Sequence, residues 1–171
     1  MEYDQRDEVW NASWLSYYEA YYQELLAERL VLRWQRLDEF SKVLIALTAS
    51  SSALSGWALW NEPGFRLLWL IIAGFGAILA IVHKSLDVPR KLTDWSSSRS
   101  QFSVIRIEFE NVLNRMRINP NFPVEVLSKS LLGLRARYAE AYQKTQVDAF
   151  LTFRLRSKVQ AHLDSLVSDN K

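Results

Sequence analysis

Two long apolar runs dominate the pattern of hydrophobic and polar positions along the chain. Residues 43–60 and 65–82 carry no charged side chain except Arg66, and Asn-Glu-Pro-Gly at 61–64 separates them. At about 1.5 Å of rise per residue, a helix of either run is about 27 Å long, close to the hydrocarbon thickness of a bilayer. The pattern predicts a transmembrane helical hairpin over 43–83. A hairpin buried in a soluble protein is the alternative, but a core helix normally keeps a polar stripe, and the second run is apolar on every side.

Basic residues flank the predicted hairpin on both sides. Three lie before the first run and three after the second: Arg33, Arg36, Lys42, Lys84, Arg90 and Lys91. Because Lys and Arg concentrate in the cytoplasmic loops of membrane proteins, these six residues are expected to set the topology, with both termini in the cytoplasm.

The remaining chain shows helical periodicity. Residues 1–42 predict one helix with a mainly aromatic face formed by Trp10, Trp14, Tyr17, Tyr21, Leu25 and Leu32. This face predicts a core stripe packed against 124–167; the alternative, an interfacial helix lying on a membrane, normally has a basic polar face, and this one is acidic. Within 84–171, helices are expected at about 95–118 and 124–167, separated by the break Asn-Pro-Asn-Phe-Pro at 119–123. Gly133 and the polar stretch 144–148 are candidate points at which the second of these helices divides or bends. In the first of them, Phe102, Ile105, Phe109, Val112 and Met116 share one face. The sequence therefore predicts an all-α membrane protein with a cytoplasmic bundle of long helices beneath the hairpin.

Charge is distributed unevenly although the net charge is only +2. Residues 1–42 are acidic, whereas 84–123 and 124–171 are both basic. This asymmetry predicts that the amino-terminal helix packs against the carboxy-terminal helices. The basic residues are dispersed and accompany no recognition motif, so no nucleic acid is expected as a partner.

Two sets of small or hydroxylated residues lie within the predicted hairpin. Thr48, Ser51, Ser52 and Ser55 form one stripe on the first helix and are candidate pore-lining residues in an oligomer. Back-bonding of each hydroxyl to its own helix is the alternative. Gly56, Ala73, Gly76, Ala77 and Ala80 are candidate helix-packing positions, since small side chains let helices approach closely in lipid.

The sequence lacks recognisable catalytic chemistry. It has no cysteine and two histidines, His83 and His162, without carboxylates at ligand spacing. Nucleophile elbows, phosphate-binding loops and paired-carboxylate motifs do not occur. We therefore predict that the protein is not an enzyme and binds neither cofactor nor metal.

The layout resembles the SLATT family of bacterial two-transmembrane effector domains. The resemblance covers nearly the whole chain, and it rests on the architecture and on the run AERLVLRWQRLDEFSKVLIALTASSSALSGWAL at 27–59. It implies an oligomeric effector in the inner membrane that forms a pore or disrupts the bilayer in anti-phage defence. A separately encoded sensor would trigger it through the cytoplasmic helices. A membrane-anchored interaction module, such as a scaffold or accessory subunit without pore activity, is the alternative.

Overall fold

A computed structural model of the chain describes residues 5–54, 63–145 and 148–168; the side chains of 47–54, 63, 65–66, 68–69 and 72–73 lie outside the description. The elements are α1 (Gln5–Leu54), α2 (Pro63–Ser85), α3 (Val88–Ile118), α4 (Val124–Gln143) and α5 (Phe153–Ser168). Over these three described ranges the chain forms helices and connecting turns and no strand, so the predicted all-α class is confirmed.

The predicted membrane location is contradicted. Among the residues that the structure describes, no helix is long and apolar enough to cross a membrane. The prediction of a multi-pass protein of the inner membrane with both termini in the cytoplasm is therefore wrong.

The helices group into two compact units. Unit 1 comprises Met1–Leu30 and Asp94–Lys171, and unit 2 comprises Val31–Thr93. The core of unit 1 is built from α1, α3 and α4 around Phe102, Phe109 and Leu127, all of them fully buried. The face of α3 that the periodicity predicts is buried throughout, from Phe102 to Met116. Bulky side chains from α3 therefore fill the centre of this unit.

Within unit 1, the buried face of α1 includes small residues beside larger ones such as Leu26 and Leu30. Ser13, Ala20 and Ala27 recur every seven residues and are almost fully buried, and Ala20 belongs to the same cluster as Phe102 and Phe109. The predicted aromatic core stripe is wrong in part, because Trp14 is 39 % and Leu32 38 % exposed. Trp10 and Tyr17 only pack at the edge of the core. The physical reason is volume, since the α3 aromatic rings already occupy the space beside α1 and leave room for small side chains.

Ion pairs join the acidic α1 to the basic α3, as the charge asymmetry predicts. Arg106 Nε donates to Glu24 Oε2 at 2.6 Å, and Arg99 lies 3.4 Å from Glu28. The guanidinium of Arg106 also lies 4.9 Å from the ring centroid of Tyr21, a distance typical of a cation–π contact. These contacts fix which turns of α1 and α3 lie side by side.

Arg6 of α1 holds the carboxy-terminal end of α3. Its Nη2 donates to the carbonyl oxygens of Met116 at 2.8 Å and Asn119 at 3.0 Å, and its Nη1 donates to that of Phe122 at 3.3 Å. The last carbonyl groups of a helix have no intrahelical partner and carry partial negative charge. A guanidinium group has several N–H donors, so the single side chain of Arg6 hydrogen-bonds to these carbonyl oxygens simultaneously.

The single helix predicted over 124–167 is interrupted between α4 and α5. Asp148 lies buried in the interruption, where it accepts hydrogen bonds from Trp95 Nε1 at 2.7 Å and from the Phe150 N–H at 2.8 Å. Thr152 then caps α5, with the Leu155 N–H donating to its Oγ1 at 3.3 Å. The polar stretch 144–148 predicts a division or bend of the helix at this point, and α4 ends just before it, at Gln143.

Candidate functional site

The most unusual surface of unit 2 is an apolar stripe on α2. Six of its large side chains are 57 to 69 % exposed. They are Leu67, Leu70, Ile71, Phe75, Ile78 and Ile81, and we call this stripe the α2 apolar face. Their spacing of three and four residues places them on one side of the helix. A contiguous exposed apolar surface of this kind marks an interaction site in most proteins.

Gly74 lies near the centre of the α2 apolar face. It is exposed, and a Cβ built on it would meet no heavy atom within 4 Å. The position therefore forms a shallow notch between the large side chains at 71 and 78. A glycine at the centre of a helix face lets the backbone of a partner helix approach closely, as in small-residue packing motifs.

The opposite side of α2 faces α1 within unit 2. Gly76 is buried, and His83, two turns further along, places Nε2 2.9 Å from Oδ1 of Asp38. Of the other predicted packing residues, Ala77 and Ala80 are exposed, whereas the side chain of Ala73 and all of Gly56 lie outside the described residues. The predicted pore-lining set, Thr48, Ser51, Ser52 and Ser55, also lies outside the described side chains.

Asp38 is the centre of a small polar cluster. Its carboxylate accepts a hydrogen bond from Lys42 Nζ at 2.7 Å as well as contacting His83. The hydrogen bonds from Lys42 and His83 lower the pKa of Asp38 below its usual value. Asp38 is therefore held as a carboxylate, which fixes α1 and α2 to one another at this point.

The six basic residues expected to set the membrane topology differ in their exposure. Arg36, Lys42, Lys84 and Arg90 are exposed, and Arg33 and Lys91 are half-buried. Lys42 has a defined local role as a partner of Asp38. Because the predicted membrane location is contradicted, a role of these six residues in setting a membrane topology no longer applies.

The sequence prediction missed the contact between Asp38 and His83. A signal for it does exist, because the two residues lie at similar distances along the chain from the predicted turn at 61–64. In an antiparallel helical hairpin, residues at equal distances from the turn are neighbours. Counting equal distances from the turn pairs His83 with Lys42, which lies one helical turn from Asp38, so the sequence places the contact to within one turn.

Unit 1 contains a second distinctive surface, a cleft lined by tyrosines from two helices. Its lining comes from α1, α4 and α5 and includes Tyr18, Tyr22, Tyr138 and Tyr142, with Glu19 and Gln160. The cavity volume is about 380 Å³. We call this cleft the tyrosine groove.

The tyrosine groove gives unit 1 a measurable pH dependence. Burial raises the pKa of Tyr138 to about 12, and the negative charge of Glu19 adds to the rise. Between pH 10 and 12 the unfolded chain releases a proton that the folded protein keeps, so the free energy of unfolding falls as the pH rises through this window. We expect Tyr138→Phe to lose less stability than wild type over this window in urea titrations. Equal losses would contradict the assignment.

The described residues contain no group of three or more His, Asp or Glu side chains that could hold a metal ion. No family model matches the chain, and comparison with curated proteins and with solved structures likewise finds no match.

Proposed function

We propose that this protein is a non-catalytic helical scaffold that self-associates through the α2 apolar face. The observation that carries the proposal is the exposure of six large apolar side chains on one side of one helix. Both functions predicted from the sequence, the membrane pore and the membrane-anchored module, place the protein in a membrane, and the described helices contradict that location. The resemblance to the SLATT family stays a prediction, as does a separately encoded sensor.

The size of the α2 apolar face supports a second copy of the chain as its occupant. At roughly 110 to 140 Å² of accessible surface for each side chain, the six residues expose on the order of 700 Å². A standard-size interface buries about 800 Å² on each partner. One copy therefore supplies nearly the whole surface that one side of a stable dimer requires.

The composition of this face also favours pairing between copies. Its six residues carry no charge, so two copies meet without like-charge repulsion at the centre of the contact. Gly74 supplies a notch into which a large side chain of the partner helix, such as Ile78, fits. In a symmetric dimer, the side chain of each copy fills the notch of the other, so this contact occurs twice.

Sedimentation velocity in detergent-free buffer tests this proposal. We expect the wild-type chain to sediment as a dimer or larger species and Ile78→Glu to sediment as a monomer. A carboxylate buried in an apolar contact without a partner costs several kcal/mol, enough to weaken association by more than about a hundredfold. Leu132→Glu is the matched control, since Leu132 is 65 % exposed but lies on α4 in unit 1.

Three results would overturn the proposal. The first is a wild-type chain that remains monomeric at the highest concentration tested. The second is dissociation by Leu132→Glu to the same degree as by Ile78→Glu. The third is a monomer that floats with phosphatidylcholine vesicles, because the face would then be assigned to lipid.

A further inference from the structure

Unit 2 has a second exposed face, which lies on α1. Leu32, Arg36, Glu39 and Val43 are all exposed, and they follow one another at intervals of four, three and four residues. This spacing is that of the a and d positions of a heptad repeat, which form one continuous line along a helix. We call these four residues the α1 seam. Phe40, which is 59 % exposed, lies directly beside it.

The α1 seam faces away from the core of unit 2. Trp34, Asp38 and Ser41 are the buried residues of this part of α1. At 3.6 residues per turn, these three lie on the side of the helix opposite to the seam. The contact between Asp38 and His83 of α2 is on the buried side. The seam is therefore accessible to another molecule while α1 and α2 remain packed together.

The order of residues along the seam makes it complementary to itself. When two identical helices pair antiparallel about a point between residues 37 and 38, Leu32 lies opposite Val43 of the second copy, and Arg36 lies opposite its Glu39. The twofold symmetry repeats both contacts, so the pairing contains two apolar contacts and two contacts between opposite charges. A parallel pairing instead sets Arg36 against Arg36 and Glu39 against Glu39, which is repulsive. The charges therefore select the antiparallel arrangement of a second copy.

The apolar part of this contact is small. Leu32 is 38 % exposed, and Val43 and Phe40 are each 59 % exposed. Together these side chains expose on the order of 300 Å² per copy, whereas one side of a standard-size interface buries about 800 Å². The contact is therefore too small to hold two single chains together. A dimer carries two seams, and engagement of both strengthens the association without any new kind of contact.

We propose that the α1 seam binds the same seam of another copy in an antiparallel arrangement, and that it joins dimers into assemblies of four or more copies. This inference rests on the proposed self-association through the α2 apolar face, which supplies the dimers. Each chain then has two separate surfaces for its own copies, one on each helix of unit 2.

Sedimentation velocity of the full chain tests the proposal through a charge reversal. We expect wild type to sediment as four or more copies and both Arg36→Glu and Glu39→Arg to sediment as dimers. Each single change sets like charges opposite one another, and we expect the dimers to associate at least about tenfold more weakly. The double variant Arg36→Glu/Glu39→Arg reverses both charges, so the pairing is complementary again and the larger assembly is expected to return.

Arg135→Glu is the matched control, because Arg135 is an exposed arginine on α4 in unit 1. It is expected to keep the wild-type assembly. Far-ultraviolet circular dichroism checks that all variants are folded.

The possible results separate this proposal from the one on which it rests. A wild-type chain that stays dimeric at every concentration would overturn the α1 contact and leave self-association through α2 in place. A double variant that stays dimeric would also overturn it, as would an equal loss in Arg135→Glu. If Ile78→Glu remained a dimer until Arg36→Glu was added, the α1 contact would stand and self-association through α2 would be overturned. A monomeric wild type would overturn both.

Discussion

Phe109→Ala is expected to lower the free energy of unfolding by about 3 to 5 kcal/mol, the range measured for aromatic truncation in protein cores. Phe109 is fully buried in the cluster where α1, α3 and α4 meet. Its removal takes away apolar burial and leaves a cavity beside Ala20, whose small side chain does not move in to fill it. Small domains have only about 5 to 15 kcal/mol of stability in total, so the loss is a large fraction.

Urea denaturation followed by circular dichroism measures this effect. Phe153→Ala makes the same chemical change at a ring that is 85 % exposed, and we expect it to alter the free energy of unfolding by less than about 0.5 kcal/mol. A loss below about 1 kcal/mol for Phe109→Ala would contradict its central place in the core.

Arg106→Gln is expected to cost about 2 to 3 kcal/mol. The side chains of Arg106 and Glu24 are only 20 % and 13 % exposed, and Nε lies 2.6 Å from Oε2. Removing the guanidinium leaves the Glu24 carboxylate partly buried without its cation, and it also removes the contact with the ring of Tyr21. The cost is below that of a fully buried pair, since water still reaches both groups.

A double-mutant cycle with Glu24→Gln isolates the pairwise contribution. We expect the double variant to be more stable than the sum of the single changes predicts, with a coupling of about 1 to 2 kcal/mol. The pair of Arg137 with Glu108 is the control, because its side chains are 52 % and 35 % exposed and a coupling below about 1 kcal/mol is expected. Equal couplings in the two cycles would show that burial does not decide the strength of these pairs.

Helical periodicity and charge predicted much of unit 1. The buried face of α3 follows directly from the spacing of Phe102, Ile105 and Phe109. The contacts of α1 with α3 follow in outline from the opposite net charges of the two segments. The spacing of apolar residues is a local property, and the net charge is a sum over the residues of a segment. Both can therefore be read from the sequence alone.

The buried face of α1 was not predictable in the same way. Ser13, Ala20 and Ala27 are weakly hydrophobic, whereas Trp14 and Tyr17 are large and dominate any periodicity count. Which of the two faces is buried depends on the volume that α3 already fills, a property of the assembled unit. One helix boundary differs from the prediction: α3 begins at Val88 rather than near Trp95, because Pro89 fits the first turn of a helix. The division near 144–148 was marked by the polar sequence there, whereas the hydrogen bond between Asp148 and Trp95 required coordinates.

The candidate site shows a further limit of reasoning from hydropathy. The apolar composition of α2 is visible in the sequence, and the hydropathy pattern predicts that this helix contacts lipid. Composition does not distinguish lipid from another apolar partner, since both favour uncharged side chains on the contact face. The position of Gly74 among the exposed residues, and of Gly76 and His83 on the opposite side, required coordinates.

Among the residues that the structure describes, three ion pairs join helices of unit 1 through arginine: Arg106 with Glu24, Arg99 with Glu28, and Arg137 with Glu108. Lys144 pairs with Glu140 within α4. Acetylation of lysine amines, whether by cellular enzymes or by a chemical reagent, therefore leaves these three pairs intact. Amine-reactive cross-linkers are accordingly suitable for mapping assemblies of this chain without breaking them.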